Sequence, residues 1–311
     1  MSRAMIQGLA LGDFLSRLDF RIEKRLKRLA VRRPGLSLRV AAALGTLARS
    51  PRWTPTREEV GGAFRISDEK SIARIRRGVG GRELRNTLFR ALVNRRSVEG
   101  VADRVVLVGG ERLLALCAGG TPPIIVFAHM GVPFAIEAGL AQLGLRALVA
   151  AMNPPRRACE RLRFQKVGAW AEGARFLVLA LRELREGGLP MLSIDAVDRA
   201  AGGGVLFGRH VPISRGPAVL AWTAGAPLVP MSARWLGSSG RIEVRVHDAL
   251  SKPAGGGTRE AFEAAVMDES ARWLEAHLSR HPWELRLDRL RVHATRAPIE
   301  SGVPPVAAQA G

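Results

Sequence analysis

At 311 residues, 47% of them apolar, the chain can build one large domain, or one domain with an appended helical region, and is excluded from the disordered class. Its formal charge of +20 favours polyanionic partners: nucleic acid, an anionic membrane face or an acidic carrier protein. The two cysteines, Cys117 and Cys159, lie far apart with no Cys-x-x-Cys and no His/Cys cluster, which fits a reducing cytosol and argues against a zinc site or a disulfide framework. The first residues carry an apolar patch but no small-residue cleavage site, so no secretory signal is expected. No membrane-spanning helix is expected either. The apolar run 124–152 carries His129, Pro133, Glu137 and Arg146, and the run 216–233 is broken by Gly225, Pro227 and Pro230.

In chain order, residues 13–33 read as a helix in which Phe14, Leu15, Leu18, Ile22, Leu26 and Leu29 form one stripe flanked by Arg and Lys. Such a basic amphipathic helix either lies in the headgroup region of an anionic bilayer or packs on the main domain with its basic face in water. Pro34-Gly35 ends it, and a second apolar stretch follows at 40–47. Ser67-Asp68 is an N-cap signal for a helix through Ile72 and Ile75, and a separate basic helix is expected at 82–96. Residues 1–98 are thus a basic helical N-terminal region, read as the membrane-surface contact.

From about residue 104 the pattern changes. Strands are expected at "RVVLVGG" and "IIVFA" with a helix between them, then at 145–151, 189–194, 227–233 and 241–247. Helices are expected at 156–166, 173–187, 216–225 and 260–280. The "GSSG" at 237–240 reads as a hairpin turn, and the glycine-rich "AGGGVLFGR" as a flexible loop rather than a phosphate cradle. The alternation predicts an α/β domain over 99–295 with a mainly parallel central sheet flanked by helices, followed by a disordered tail at 296–311.

In open α/β sheets, sites form beyond the carboxyl ends of the strands. His129 follows the strand "IIVFA" and Asp195 follows "LPMLSI", so parallel pairing would bring both to one edge. A histidine there is a general base or a satisfied structural residue, and an acid there is a positioning group or an ordinary loop acid. There is no Gly-x-Ser-x-Gly elbow and no Walker loop. Tyrosine is absent and aromatics are few, so base-stacking platforms and a nucleic-acid partner are not expected.

The blocks "VLVGGERLLALCAGGTPPIIVFAHMG", "NPPRRACERLRFQKVGAW", "LRELREGGLPMLSIDAVDR", "VLFGRHVPISRGPAVLAWTAGAPLVPMSAR" and "HPWELRLDRLR", in this order, resemble the bacterial lipid A biosynthesis acyltransferase family, within the glycerolipid and lysophospholipid acyltransferases. The resemblance spans roughly residues 80–290 and implies acyl transfer from an acyl carrier protein or coenzyme A thioester to a hydroxyl of a membrane lipid or glycolipid, with no further cofactor and no metal. His129 matches the family's catalytic histidine, the general base. Where the family has an Asp or Glu one helical turn beyond it, this chain has Phe134, so the resemblance leaves Glu137 to reach back as the orienting acid, with Asp195 as a further catalytic acid. It also implies that Arg163, Arg209 and Asp198 contact substrate, arginine forks suiting phosphate. The expected location is peripheral, on the cytoplasmic face of the inner membrane. Phe134 motivates the alternative, a catalytically impaired relative that binds lipid or a partner protein.

Overall fold

The computed structural model describes residues 23–30, 32–47, 53–156, 159–167, 170–195, 202–250 and 257–295. Residues 23–30 are helical, with Leu26 and Ala30 buried; Phe14, Leu15, Leu18 and Ile22 of the expected basic stripe lie outside the described residues. Pro34 opens α1 (Pro34–Leu47), which lays Leu38 and Ala41 into the core. A capping box between Thr56 and Glu59 starts α2 (Arg57–Phe64). Asp68 caps the next helix as its sequence predicts, accepting from the backbone N–H groups of Lys70 and Ser71.

That helix, α3 (Glu69–Arg96), corrects the expectation of two separate helices. Gly78, Gly80 and Gly81 interrupt its apolar pattern without ending it. The structure gives one reason for a glycine here: a Cβ on Gly78 would stand 2.6 Å from the Trp283 Cβ. The helix gives up propensity at that point to let another segment lie directly on its backbone.

The central sheet is built from β1 (Val105–Val108), β2 (Ile124–Phe127), β3 (Ala147–Ala151), β4 (Leu162–Lys166), β5 (Leu189–Ser193), β8 (Leu228–Trp235) and β9 (Ile242–Val246), while β6 (Gly202–Leu206) and β7 (Arg209–Ile213) form a separate hairpin. Its order is β1-β9-β8-β2-β5-β3-β4, and every pairing is parallel except β8 with β9. That exception follows from the tight connection through 237–240, which can join only antiparallel neighbours. The α/β architecture with a mostly parallel sheet is therefore as the strand–helix alternation predicts.

Two further elements differ from expectation. Residues 162–166 form the edge strand β4 rather than the end of a helix, because the polar string "LRFQK" can expose Arg163 and Lys166 at a sheet edge while Leu162 enters the core. The glycines of "AGGGVLFGR" belong to the β6–β7 hairpin rather than a flexible loop: a Cβ on Gly204 would lie 2.7 Å from Ile213 Cγ1 and 3.0 Å from the Ala271 Cβ.

The sheet separates two apolar cores, and the pleat sends Ile125 and Phe127 of β2 into one and Ile124 and Val126 into the other. After β2, helix α5 (Phe134–Gln142) packs Ala135, Ile136 and Leu140 into the first core. After β5 and the hairpin, α7 (Gly216–Ala224) packs Ala218 and Leu220 into the second. Adjacent parallel strands whose following elements leave to opposite faces open a crevice at their carboxyl ends. The remaining helices are α4 (Gly110–Ala118), α6 (Trp170–Arg185), α8 (Arg259–Arg280) and α9 (Leu287–Ala294). No helix among the described residues is long and apolar enough to cross a membrane.

Candidate active site

The crevice between β2 and β5 holds the histidine and the aspartate. Phe127 pairs with Ser193, and the Ile194 N–H donates to the Phe127 carbonyl at 2.8 Å, which carries the pairing past the strand ends. His129 and Asp195 consequently emerge side by side. The His129 ring Nδ1 lies 2.8 Å from Asp195 Oδ1, and the His129 backbone N–H reaches both carboxylate oxygens at 3.0 and 2.9 Å.

One carboxylate thus grips the backbone and the ring of one histidine. An ionised acid accepts only, so the Nδ1 that meets it carries a proton, and a neutral ring then has its lone pair on Nε2. The His129 side chain is 25% exposed against 12% for Asp195, so the base can be reached while its partner is shielded. Burial pushes the Asp195 carboxyl up, but the charge and hydrogen bond of His129, together with the Arg289 charge, outweigh it and hold it below its ordinary value. Arg289 Nε stands 3.8 Å from Asp195 Oδ2.

The loop after His129 is pinned from behind. Gly131 adopts φ 55°, and a Cβ there would lie 1.8 Å from the Ala233 carbonyl oxygen, so no other residue fits. Its N–H donates to the Glu284 carbonyl at 2.8 Å, and the Val132 N–H donates to the Ala233 carbonyl at 2.9 Å. The Gly131 carbonyl accepts from Asn86 Nδ2 at 2.6 Å, and Asn86 Oδ1 accepts from Trp235 Nε1 at 2.9 Å. Arg82, fully buried in α3, donates to the Glu284 carbonyl as well. The Glu284 carboxyl is pushed up to about 7 by burial, against the pull of Arg82, Arg85 and Arg234.

Glu137 is elsewhere. It lies in the first turn of α5, 5% exposed, with no hydrogen bond to His129 and with its Oε2 unpartnered among the described residues. Burial pushes it up to about 8. Phe134 begins the same helix, with the Arg90 guanidinium over its ring at 5.3 Å.

Arg163 sits in the first half of β4, three strands from β2 and so roughly 14 Å to the side, with its Nη2 3.5 Å from Glu183 Oε2; the structure does not bring it to the dyad. Arg209 opens β7, is 9% exposed, and leaves its buried Nε without an acceptor among the described residues. Asp198 lies outside the described residues.

A cleft of about 50 Å³ is lined by Leu206, Val211, Ile213, Leu274, Leu285 and Val292, together with Asp195, Arg289 and His293. An apolar cleft lined by the acid that orients an imidazole can hold a short hydrocarbon segment close to the base. Asn86, Glu284 and Arg289 were not foreseen as site residues. The signal for the last two was their place in "HPWELRLDRLR", the final block of the resemblance, and Asn86 had none. Among the described residues no cluster of His, Cys, Asp and Glu could hold a metal ion. The chain matches no protein-family model and no curated protein.

Proposed function

We propose that this chain is an acyltransferase of the lipid A and lysophospholipid type, moving a fatty acyl group from an acyl carrier protein or coenzyme A thioester to a hydroxyl of a membrane lipid or glycolipid. The observation that carries the reading is the His129–Asp195 pair, held at the carboxyl ends of adjacent parallel strands beside an apolar cleft. The order of sequence blocks supplies the reaction class, and the geometry supports a base that such a reaction needs.

In this mechanism the His129 Nε2 takes the proton of the acceptor hydroxyl as its oxygen attacks the thioester carbonyl carbon. Asp195 holds the Nδ1–H tautomer and offsets the imidazolium charge. The tetrahedral intermediate collapses, the carbon–sulfur bond breaks, and the imidazolium returns its proton to the departing thiolate. The products are an ester and a free thiol, with His129 neutral again, so no metal and no covalent enzyme intermediate is needed. Phe134 then costs nothing, because the acid that orients the histidine comes from β5 rather than from α5. The reading of an impaired, binding-only relative loses its motive for the same reason.

The cleft walls suit a short segment of the acyl chain, and the buried Arg209 guanidinium is a candidate for phosphate on the acceptor or on the donor's pantetheine arm. The charge of +20 suits an anionic cytoplasmic leaflet, where a basic residue near the surface contributes about 1 kcal/mol, and an acidic carrier protein is drawn to the same field. On this reading the protein is peripheral to the inner membrane and faces the cytoplasm.

The test is transfer of labelled acyl groups from acyl carrier protein or coenzyme A to lipid A precursors and lysophospholipids by the purified full chain. Labelled lipid and free thiol should appear in equal amounts and vanish in His129→Ala. Transfer by His129→Ala at the wild-type rate would overturn the general-base assignment, and no transfer from either donor to either acceptor class would overturn the reaction class.

A further inference from the structure

Three arginines stand in the segment 286–291, and they have different fates. Arg286 is bound to Asp288 at 2.8 Å, and Arg291 to Glu59 at 3.0 Å, both as partly exposed ion pairs. Arg289 alone turns to the dyad. Its Nε is buried, meets no hydrogen-bond acceptor among the described residues, and stands 3.8 Å from Asp195 Oδ2, on the oxygen that the His129 ring leaves free. The side chain is 19% exposed and lines the apolar cleft. Leu287, Leu290 and His293 bury the packing face of α9, so the helix is anchored by residues other than Arg289.

We propose that Arg289 is a positioning residue of the dyad, whose cation faces the Asp195 oxygen that the His129 ring leaves free and shares the carboxylate's charge with that ring. A buried carboxylate faced by histidine alone gives its whole charge to that histidine and favours the imidazolium, which cannot accept a proton. A second cation on the other oxygen draws on the same charge and lowers the pH at which the ring protonates. The separation is too long for a hydrogen bond, so charge rather than a shared proton carries the effect.

The other charged groups near this point are accounted for. Behind the loop of His129 lies Glu284, pushed up to about 7, with Arg82, Arg85 and Arg234 around it. His293 lines the same cleft. Among the described residues, the ionic partners of Asp195 are His129 and Arg289. This inference rests on His129 being the general base of acyl transfer, but it is tested through the ring itself.

The experiment is a pH titration of the full chain labelled with ¹⁵N-histidine, the His129 signals being assigned by their loss in His129→Gln. In the wild type the ring should show the Nδ1–H tautomer at neutral pH. Arg289→Gln should raise the His129 midpoint by about 0.5–1 unit, whereas Arg289→Lys, which keeps the charge, should stay close to wild type. The other histidine signals report that each variant is folded. Where acyl transfer is measured, the acid limb of its pH profile should move up with the midpoint in Arg289→Gln and not in Arg289→Lys. An unchanged midpoint in Arg289→Gln, or equal shifts in the Gln and Lys variants, would overturn the role of Arg289. Absence of acyl transfer by the wild type would instead overturn the functional reading and leave the titration result standing.

Discussion

Asp195, largely shielded, and Glu137, buried, are both carboxylates within the chain's α/β domain, and desolvation alone would raise both. Asp195 has the His129 ring, the His129 backbone N–H and the Arg289 cation around it and is held below its ordinary value; Glu137 has desolvation only and rises to about 8. The first is therefore an anion at neutral pH and the second largely neutral. An acid that orients an imidazole and offsets its cation must be charged, and the difference in surroundings decides which of the two can do so. Proximity along the chain favours Glu137, while proximity in the sheet favours Asp195.

The comparison breaks most sharply at His129. His129→Ala should lower acyl transfer by about 10³-fold or more, read as product formation from labelled acyl thioester, since general-base catalysis contributes on the order of 10²–10⁴-fold. Asp195→Asn keeps the shape but accepts with one oxygen only and loses the charge. It should cost about 10²-fold or more in kcat and remove the preference for the Nδ1–H tautomer. Asn86→Ala leaves the Gly131 carbonyl and the Trp235 N–H without their partner, and should lower unfolding stability by about 1–3 kcal/mol with a smaller loss in rate, measured by denaturant melts beside the assay.

Glu137→Gln should have the smallest catalytic effect, less than about twofold, since general-base catalysis draws nothing from that side chain. Its mark is on stability. A carboxyl that titrates near 8 when folded and near 4.5 when unfolded holds a proton in the folded state across that window. The contribution of Glu137 to stability therefore falls as pH rises from about 4.5 to 8, and the glutamine variant should lack that part of the slope and gain on the wild type towards alkaline pH. Thermal melts across this range check it; parallel curves for the two proteins would mean that Glu137 is not buried as a neutral acid.

The strands that carry the site were legible because parallel, doubly buried strands read as apolar runs, and "IIVFA" and "LPMLSI" are such runs. Their carboxyl ends then predicted His129 and Asp195 at one edge. The edge strand β4 was not legible, since Leu162–Lys166 has mostly polar residues and owes its form to pairing with β3. The middle of α3 read as a break because propensity is local, whereas Gly78 serves contact with a segment far along the chain. Which acid meets the histidine was hidden for a similar reason: helical spacing points to Glu137, and only the register of β2 with β5 turns Asp195 into its partner. Arg289 was hidden among 48 basic residues until burial separated it from arginines that pair at the surface.

The most direct test sets Asp195→Asn against Glu137→Gln in one acyl-transfer assay, at matched protein folding and substrate concentration. A drop of about 10²-fold or more in Asp195→Asn, with Glu137→Gln within about twofold of wild type, is the predicted result. A large loss in Glu137→Gln with Asp195→Asn near wild type would contradict the account.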